Sequence, residues 1–99
     1  MSKNSFKIRS VACADVETIS DYIAKDDVLA AKKLVNRFNK TFEKISKFPN
    51  IGIERSDFRH KNVRFFVIDK HYLIVYRSDD NFVEILRVLM SYQDICKLL

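Results

Sequence analysis

A chain of 99 residues with a net charge of +5 and a pI near 9.3 is long enough for one modest hydrophobic core and too short for two. Hydrophobic residues at 47% and charged residues at 31% exclude a disordered chain, and no apolar run approaches the roughly 20 residues that span a bilayer. The basic balance favours a nucleic acid, a ribosome or an acidic protein as partner, without choosing among them.

The opening "MSKNSFKIRS" has no apolar signal-peptide core, so a cytoplasmic protein is expected. In that reducing compartment Cys13 and Cys96 are expected to be free thiols. One glycine and one proline point to long regular elements joined by simple turns.

"FKIRSV" predicts a first strand, with Phe6 and Ile8 on one face and Lys7 and Arg9 on the other. "ADVETISDYIAK" follows with Val16, Ile19, Tyr22 and Ile23 at helical spacing, and Asp15 and Glu17 suit the positive end of a helix beginning there. Asp26 and Asp27 end that helix, and one of them can cap the next. Val28, Ala31, Val35, Phe38, Phe42 and Ile45 then recur three and four apart, with Leu34 widening the stripe. Lys32, Lys33, Arg37, Lys40, Lys44 and Lys47 take the other sides and read first as the wet face of an amphipathic helix. So short a connection makes the two helices an antiparallel hairpin.

"FPNIG" closes the hairpin, with Pro49 unable to extend the helix and Gly52 expected to permit a sharp turn. "IERSDFRHKN" reads as a polar loop. Three strand-like runs complete the chain, "VRFFVI", "HYLIVYR" and "NFVEILRVL", joined at "DK" and "SDD" too tightly for crossover helices. "YQDICKLL" is expected to form a short terminal helix with Ile95 and Leu98 or Leu99 turned inward. The expected fold is a single α+β domain over residues 1–99, β-α-α-β-β-β-(α), with a helical hairpin on a mostly antiparallel four-stranded sheet.

His60, His71, Cys13 and Cys96 fall in four separate segments without ligand spacing, so no metal site and no cofactor is expected. Neither cysteine has a base that the sequence places beside it. His71 reads as an exposed turn residue, and His60 as a partner contact in a basic loop. Arg55, Arg59, His60, Lys61 and Arg64 form a dense cationic cluster suited to phosphate or carboxylate. Arg87 lies on the last strand, expected to face the same way as Ile85 and Leu89, and among apolar neighbours it requires a carboxylate, a backbone acceptor or an opening to solvent.

From about residue 6 to 99 the chain resembles the ParE/RelE superfamily, the toxins of bacterial type II toxin–antitoxin pairs. The resemblance rests on "ADVETISDYI", "FPNIG", "VRFFVIDKHYLIVYR" and "VEILRVLMSYQDI", in that order. It implies one of two mechanisms. RelE-like members cleave mRNA on the ribosome with clustered cations and a nearby Tyr or His, whereas ParE-like members lack that set and many poison DNA gyrase. Leu73 stands where the nuclease type carries an arginine in the middle strand, and Met90, Ser91 and Gln93 replace its terminal basic run. Of a ParE-like last strand, Leu-Arg-Val-x-His-x-x-Arg-Asp, the chain keeps Leu86, Arg87, Val88 and Asp94, with Met90 and Gln93 in place of His and Arg.

The resemblance therefore implies a non-catalytic toxin that binds gyrase through Arg64, Arg87, Tyr92, Gln93 and Asp94. A cognate antitoxin would cover Tyr22, Leu34, Arg37, Phe38 and Arg59, in a heterotetramer or beside a toxin homodimer. The alternatives are a ribosome-dependent endonuclease using Arg64, Arg87, Tyr92 and His60, and an inactive member that only binds.

Overall fold

The computed structural model describes residues 6–54, 63–78 and 82–90. Strand β1 (Phe6–Ile8) leads into helices α1 (Ser10–Ala24) and α2 (Val28–Lys47), then a 3-10 turn (Pro49–Ile51) and a two-residue strand β2 (Ile53–Glu54). Strands β3 (Val63–Ile68), β4 (Tyr72–Ser78) and β5 (Val83–Leu89) complete one sheet in the order β1-β5-β4-β3-β2. The α+β class and the helical hairpin are those expected, but the sheet has five strands. The extra one is β2, antiparallel to β3, drawn from the start of the segment expected to be a loop; β1 runs parallel to β5. The rest of that loop and the expected terminal helix lie outside the described residues.

Each hairpin half forms for a local reason. Asp27 caps α2, its Oδ1 accepting the Ala30 N–H at 3.0 Å. Ala31, Leu34, Phe38, Phe42 and Ile45 then present one buried stripe, whereas Val28, expected on that stripe, stands 59% exposed in the first turn before the helix reaches the sheet. Helix α1 begins at Ser10, earlier than expected, so Asp15 and Glu17 lie beyond its first turn and are not dipole partners there. Asp15 instead turns toward β5.

Two apolar clusters flank the sheet. Ile19, Leu34, Phe38, Phe42 and Ile45 of the helices pack on Ile74, Tyr76, Val83, Ile85 and Val88. On the opposite face Val63, Phe65, Leu73, Val75 and Leu89 form a second buried cluster, with Leu86 against it. The alternation of β5 breaks between these clusters. Val75 pairs with Arg87 but Tyr76 pairs with Ile85, leaving Leu86 as the extra residue of a β-bulge. Ile85 and Leu89 therefore belong to different faces, and the single apolar face expected around Arg87 does not exist. The β3–β4 turn is tight, with Asp69 (φ 55°) and Lys70 (φ 64°) both left-handed and the His71 N–H donating to the Ile68 carbonyl at 3.1 Å.

Candidate functional site

The two arginines singled out by the sequence sit near opposite edges of the sheet, and each is engaged within the chain. Arg64 on β3 lies between Glu54 of β2 and Tyr76 of β4. Its Nη1 donates to the Gly52 carbonyl at 3.0 Å. That carbonyl belongs to a corner organised by Tyr76, whose hydroxyl donates to the Pro49 carbonyl at 2.6 Å and accepts the Gly52 N–H at 2.8 Å. A phenol buried to this depth is satisfied on both sides, as interior polar groups must be. Burial pushes the Tyr76 pKa up, against the lowering effects of the Gly52 hydrogen bond and the Arg64 charge.

Glycine is required at this corner for space. Gly52 has an ordinary extended backbone (φ −75°, ψ 164°), so the sharp turn expected of it is not the reason it is there. A Cβ at this position would meet Tyr76 Oη at 2.5 Å, Tyr76 Cε1 at 2.7 Å and the Phe65 carbonyl at 2.9 Å. "FPNIG" and "VRFFVIDKHYLIVYR" are thus two halves of one packed joint, in which the missing side chain admits the tyrosine ring.

At the other edge, β1 covers β5 only from Val83 to Ile85, extended by the Arg9 N–H to the Ile85 carbonyl at 3.0 Å. Past that point the edge of β5 is met by α1. Asp15 takes the Val88 N–H on Oδ2 at 3.0 Å and holds Arg87 by both oxygens, from Nε at 2.8 Å and Nη2 at 3.0 Å. The two-point geometry matches a planar guanidinium to a carboxylate. The carboxylate partner that Arg87 needs is Asp15, 72 residues away in sequence, where no spacing rule could have found it.

A third ionic group lies where β1, β5 and β4 meet. Glu84 accepts from Arg9 Nε at 3.0 Å and from Arg77 Nη2 at 2.6 Å. The Arg9 hydrogen bond, reinforced by Arg77 against a smaller effect of burial, holds the Glu84 carboxyl below its usual range.

The remaining expected site residues divide sharply. Leu34 and Phe38, expected at an antitoxin contact, are core residues at 7% and 1% exposure, because the stripe that carries them is the one that packs on the sheet. They leave the contact set. Tyr22 is 61% exposed beside Val28 and Leu29 near the hairpin bend, and Arg37 pairs with Asp69 at 2.8 Å. Arg55, Arg59, His60, Lys61, Tyr92, Gln93 and Asp94 lie outside the described residues, as does Cys96; Cys13 is an exposed free thiol. Among the described residues no three His, Cys, Asp or Glu side chains converge as a metal site would require, and no helix is long and apolar enough to cross a membrane. His71 is exposed beside the turn.

The family model described as the ParE toxin of the type II toxin–antitoxin system parDE matches residues 6–95. Toxin ParE3 of Caulobacter vibrioides is 35% identical over 69 residues, covering 70% of this chain and 67% of that protein. Among solved structures, the chromosomal ParDE toxin–antitoxin system from P. aeruginosa superposes with a TM-score of 0.72 at 22% identity, covering 88% of this chain and 95% of the other. That structural likeness carries the fold.

Proposed function

The chain belongs to the ParE toxin family of type II toxin–antitoxin systems, and from that premise we propose that it is a cytoplasmic, non-enzymatic inhibitor of DNA gyrase neutralised by a cognate antitoxin. The observation that carries the non-enzymatic reading is Leu73. Where the nuclease branch presents a catalytic arginine, this chain has a leucine 2% exposed, buried with Val63, Phe65, Val75 and Leu89. Phosphodiester cleavage needs cations around the developing charge and a base of suitable pKa. The tyrosines of the same strand lie with the helix-facing cluster, away from Leu73, and are poor bases: burial first, and the Asp69 charge second, raise the pKa of Tyr72, and burial raises that of Tyr76.

Target contact is assigned to Arg64, Arg87 and the segment Tyr92 to Asp94, with Asp15 and Gly52 setting the directions of the two arginines. The antitoxin contact is assigned to Tyr22, Arg37 and Arg59, joined by Val28 and Leu29. The exposed apolar group at the bend supplies what an acidic segment folding on binding must bury.

The test is inducible expression in a bacterium, followed by purified chain with gyrase and supercoiled plasmid. Trapped cleavage complexes, an SOS response and filamentation are expected, all relieved by co-expressed antitoxin. Rapid translation arrest with messages cut inside ribosomes would establish the nuclease instead. Normal growth with neither outcome would leave a binding module.

A further inference from the structure

Of the outer face of α2, only Arg37 takes part in the contacts proposed for target and antitoxin. Lys33, Arg37, Lys40, Lys44 and Lys47 step by four and three residues, so they line up along one side of the helix. At 1.5 Å per residue the stripe runs for about 21 Å. All five are exposed, as are Lys32 and Asn36 beside them. Glu43 is the single acid in the helix. Asp69, from the β3–β4 turn, meets Arg37 at the middle, and Lys44 Nζ lies 5.9 Å from the centre of the Phe66 ring.

A solvated face needs no such alignment. Like charges three and four residues apart repel, so mixing acids among them would stabilise the helix more. Between Lys33 and Lys47 the stripe carries no apolar residue, the exposed Leu29 and Phe48 standing only at its two ends, and lysine is depleted at protein interfaces. Tyr22, Val28 and Leu29 gather at the hairpin bend before it, and Phe48 follows its last lysine. Closely spaced Lys and Arg with flanking amides and no apolar anchor is the composition that grips phosphates.

We propose that the α2 stripe binds the phosphate backbone of a DNA duplex, independently of base sequence. Lys33, Lys40 and Lys47 carry the contact, with Arg37 and Lys44 adding to it from between them. Lys33, Lys40 and Lys47 belong to neither the target contact nor the antitoxin contact, which share only Arg37 with the stripe, so the chain can hold duplex DNA and a protein partner together. The inference does not depend on gyrase being the target.

The test is fluorescence anisotropy of the full chain with a labelled random-sequence duplex across a salt series. Five neutralised phosphates predict a log–log salt slope of about −4.5. The combined variant K33Q, K40Q and K47Q should weaken binding by about 100-fold at low salt and flatten the slope by about 2.7. A charge-matched control, K7Q, K25Q and K70Q, removes the same three charges from elsewhere and should retain most of the affinity and slope. Each single stripe substitution should flatten the slope by about 0.9, which keeps the measurement decisive if the triple variant folds poorly. Equal losses in stripe and control variants would mean bulk charge alone and overturn the proposal. So would unchanged binding by the stripe variants, or stripe variants that keep DNA but release the antitoxin, which would give the face to an acidic protein.

Discussion

The Arg64 corner and the Arg87 corner do the same job with opposite chemistry. Both join an edge of the sheet to a preceding segment, and both use a guanidinium. At the first, Arg64 donates to the Gly52 carbonyl and a neutral tyrosine to the Pro49 carbonyl, fitted around a glycine that leaves no spare volume. At Arg87 the partner is a carboxylate that also satisfies a strand N–H, with the Asp15 side chain 15% exposed and the arginine 33%. The first joint depends on shape, the second on charge.

Breaking the shape-dependent joint should have the largest effect. Gly52→Ala puts a methyl within 2.9 Å of three atoms, one of them the Phe65 carbonyl on the β3 backbone. Overpacking of this kind costs about 3 kcal/mol, measurable as a lower urea midpoint at unchanged slope. Removing the hydroxyl in the double variant Gly52→Ala, Tyr76→Phe relieves the 2.5 Å approach but not the contacts with Cε1 and the carbonyl. Recovery should be partial. Full recovery would mean that the hydroxyl alone demands the glycine.

Asp15→Ala comes next. It leaves a partly buried guanidinium without its carboxylate and Val88 without its acceptor. Loss of a fully buried partner costs about 3–5 kcal/mol; with a third of Arg87 open to solvent, about 2 kcal/mol is expected. Arg87→Ala should cost less, because Asp15 keeps the Val88 N–H, whereas Asp15→Ala removes the acceptor of both that N–H and the guanidinium. Equal losses from the two substitutions would show that the ion pair, and not the strand edge, holds α1 in place.

Tyr76→Phe sharpens the contrast from the other side. It removes a donor to Pro49 and an acceptor for Gly52 while keeping the ring. The expected loss is about 1.5 kcal/mol, with no dependence on salt, whereas the Asp15 variant should narrow its gap to the parent as ionic strength rises.

These joints also mark where the sequence stopped being legible. The α2 stripe, the α2 cap and the three long strands could be read because each follows a local period or a local hydrogen bond. The two-residue β2 has no period to read. The bulge at Leu86 was invisible because a period-two reading assumes an unbroken strand, and one inserted residue sends Ile85 and Leu89 to opposite faces. Leu34 and Phe38 could be placed on an apolar stripe, but not assigned to core or partner, since both uses demand the same residues. In the sequence Asp15 reads as a dipole partner because its true partner is a tertiary one. Gly52 reads as a turn residue in the sequence, whereas its actual reason is a ring on another strand.

Glu84 gives the smallest and most discriminating prediction. It is ionic like the Arg87 corner, but Arg9 and Arg77 are about half exposed, at 52% and 49%, so solvent screens both pairs. Their net worth should lie below about 1 kcal/mol. The sign follows from the depressed carboxyl, for which Arg9 is the first cause. A group whose folded pKa lies below its unfolded value stabilises the fold above that unfolded value, near 4.5 for Glu84, and loses the contribution as pH falls through the folded pKa. Glu84→Gln should therefore lower stability slightly at neutral pH, and the gap to the parent should close as acid is added below that value. The gap should also shrink in high salt, further than the Asp15 gap does, because the Glu84 pairs are the more exposed. Were the two gaps to respond alike, exposure would not be what separates a weak ion pair from a structural one in this sheet, and the Arg87 corner would lose its claim to be special.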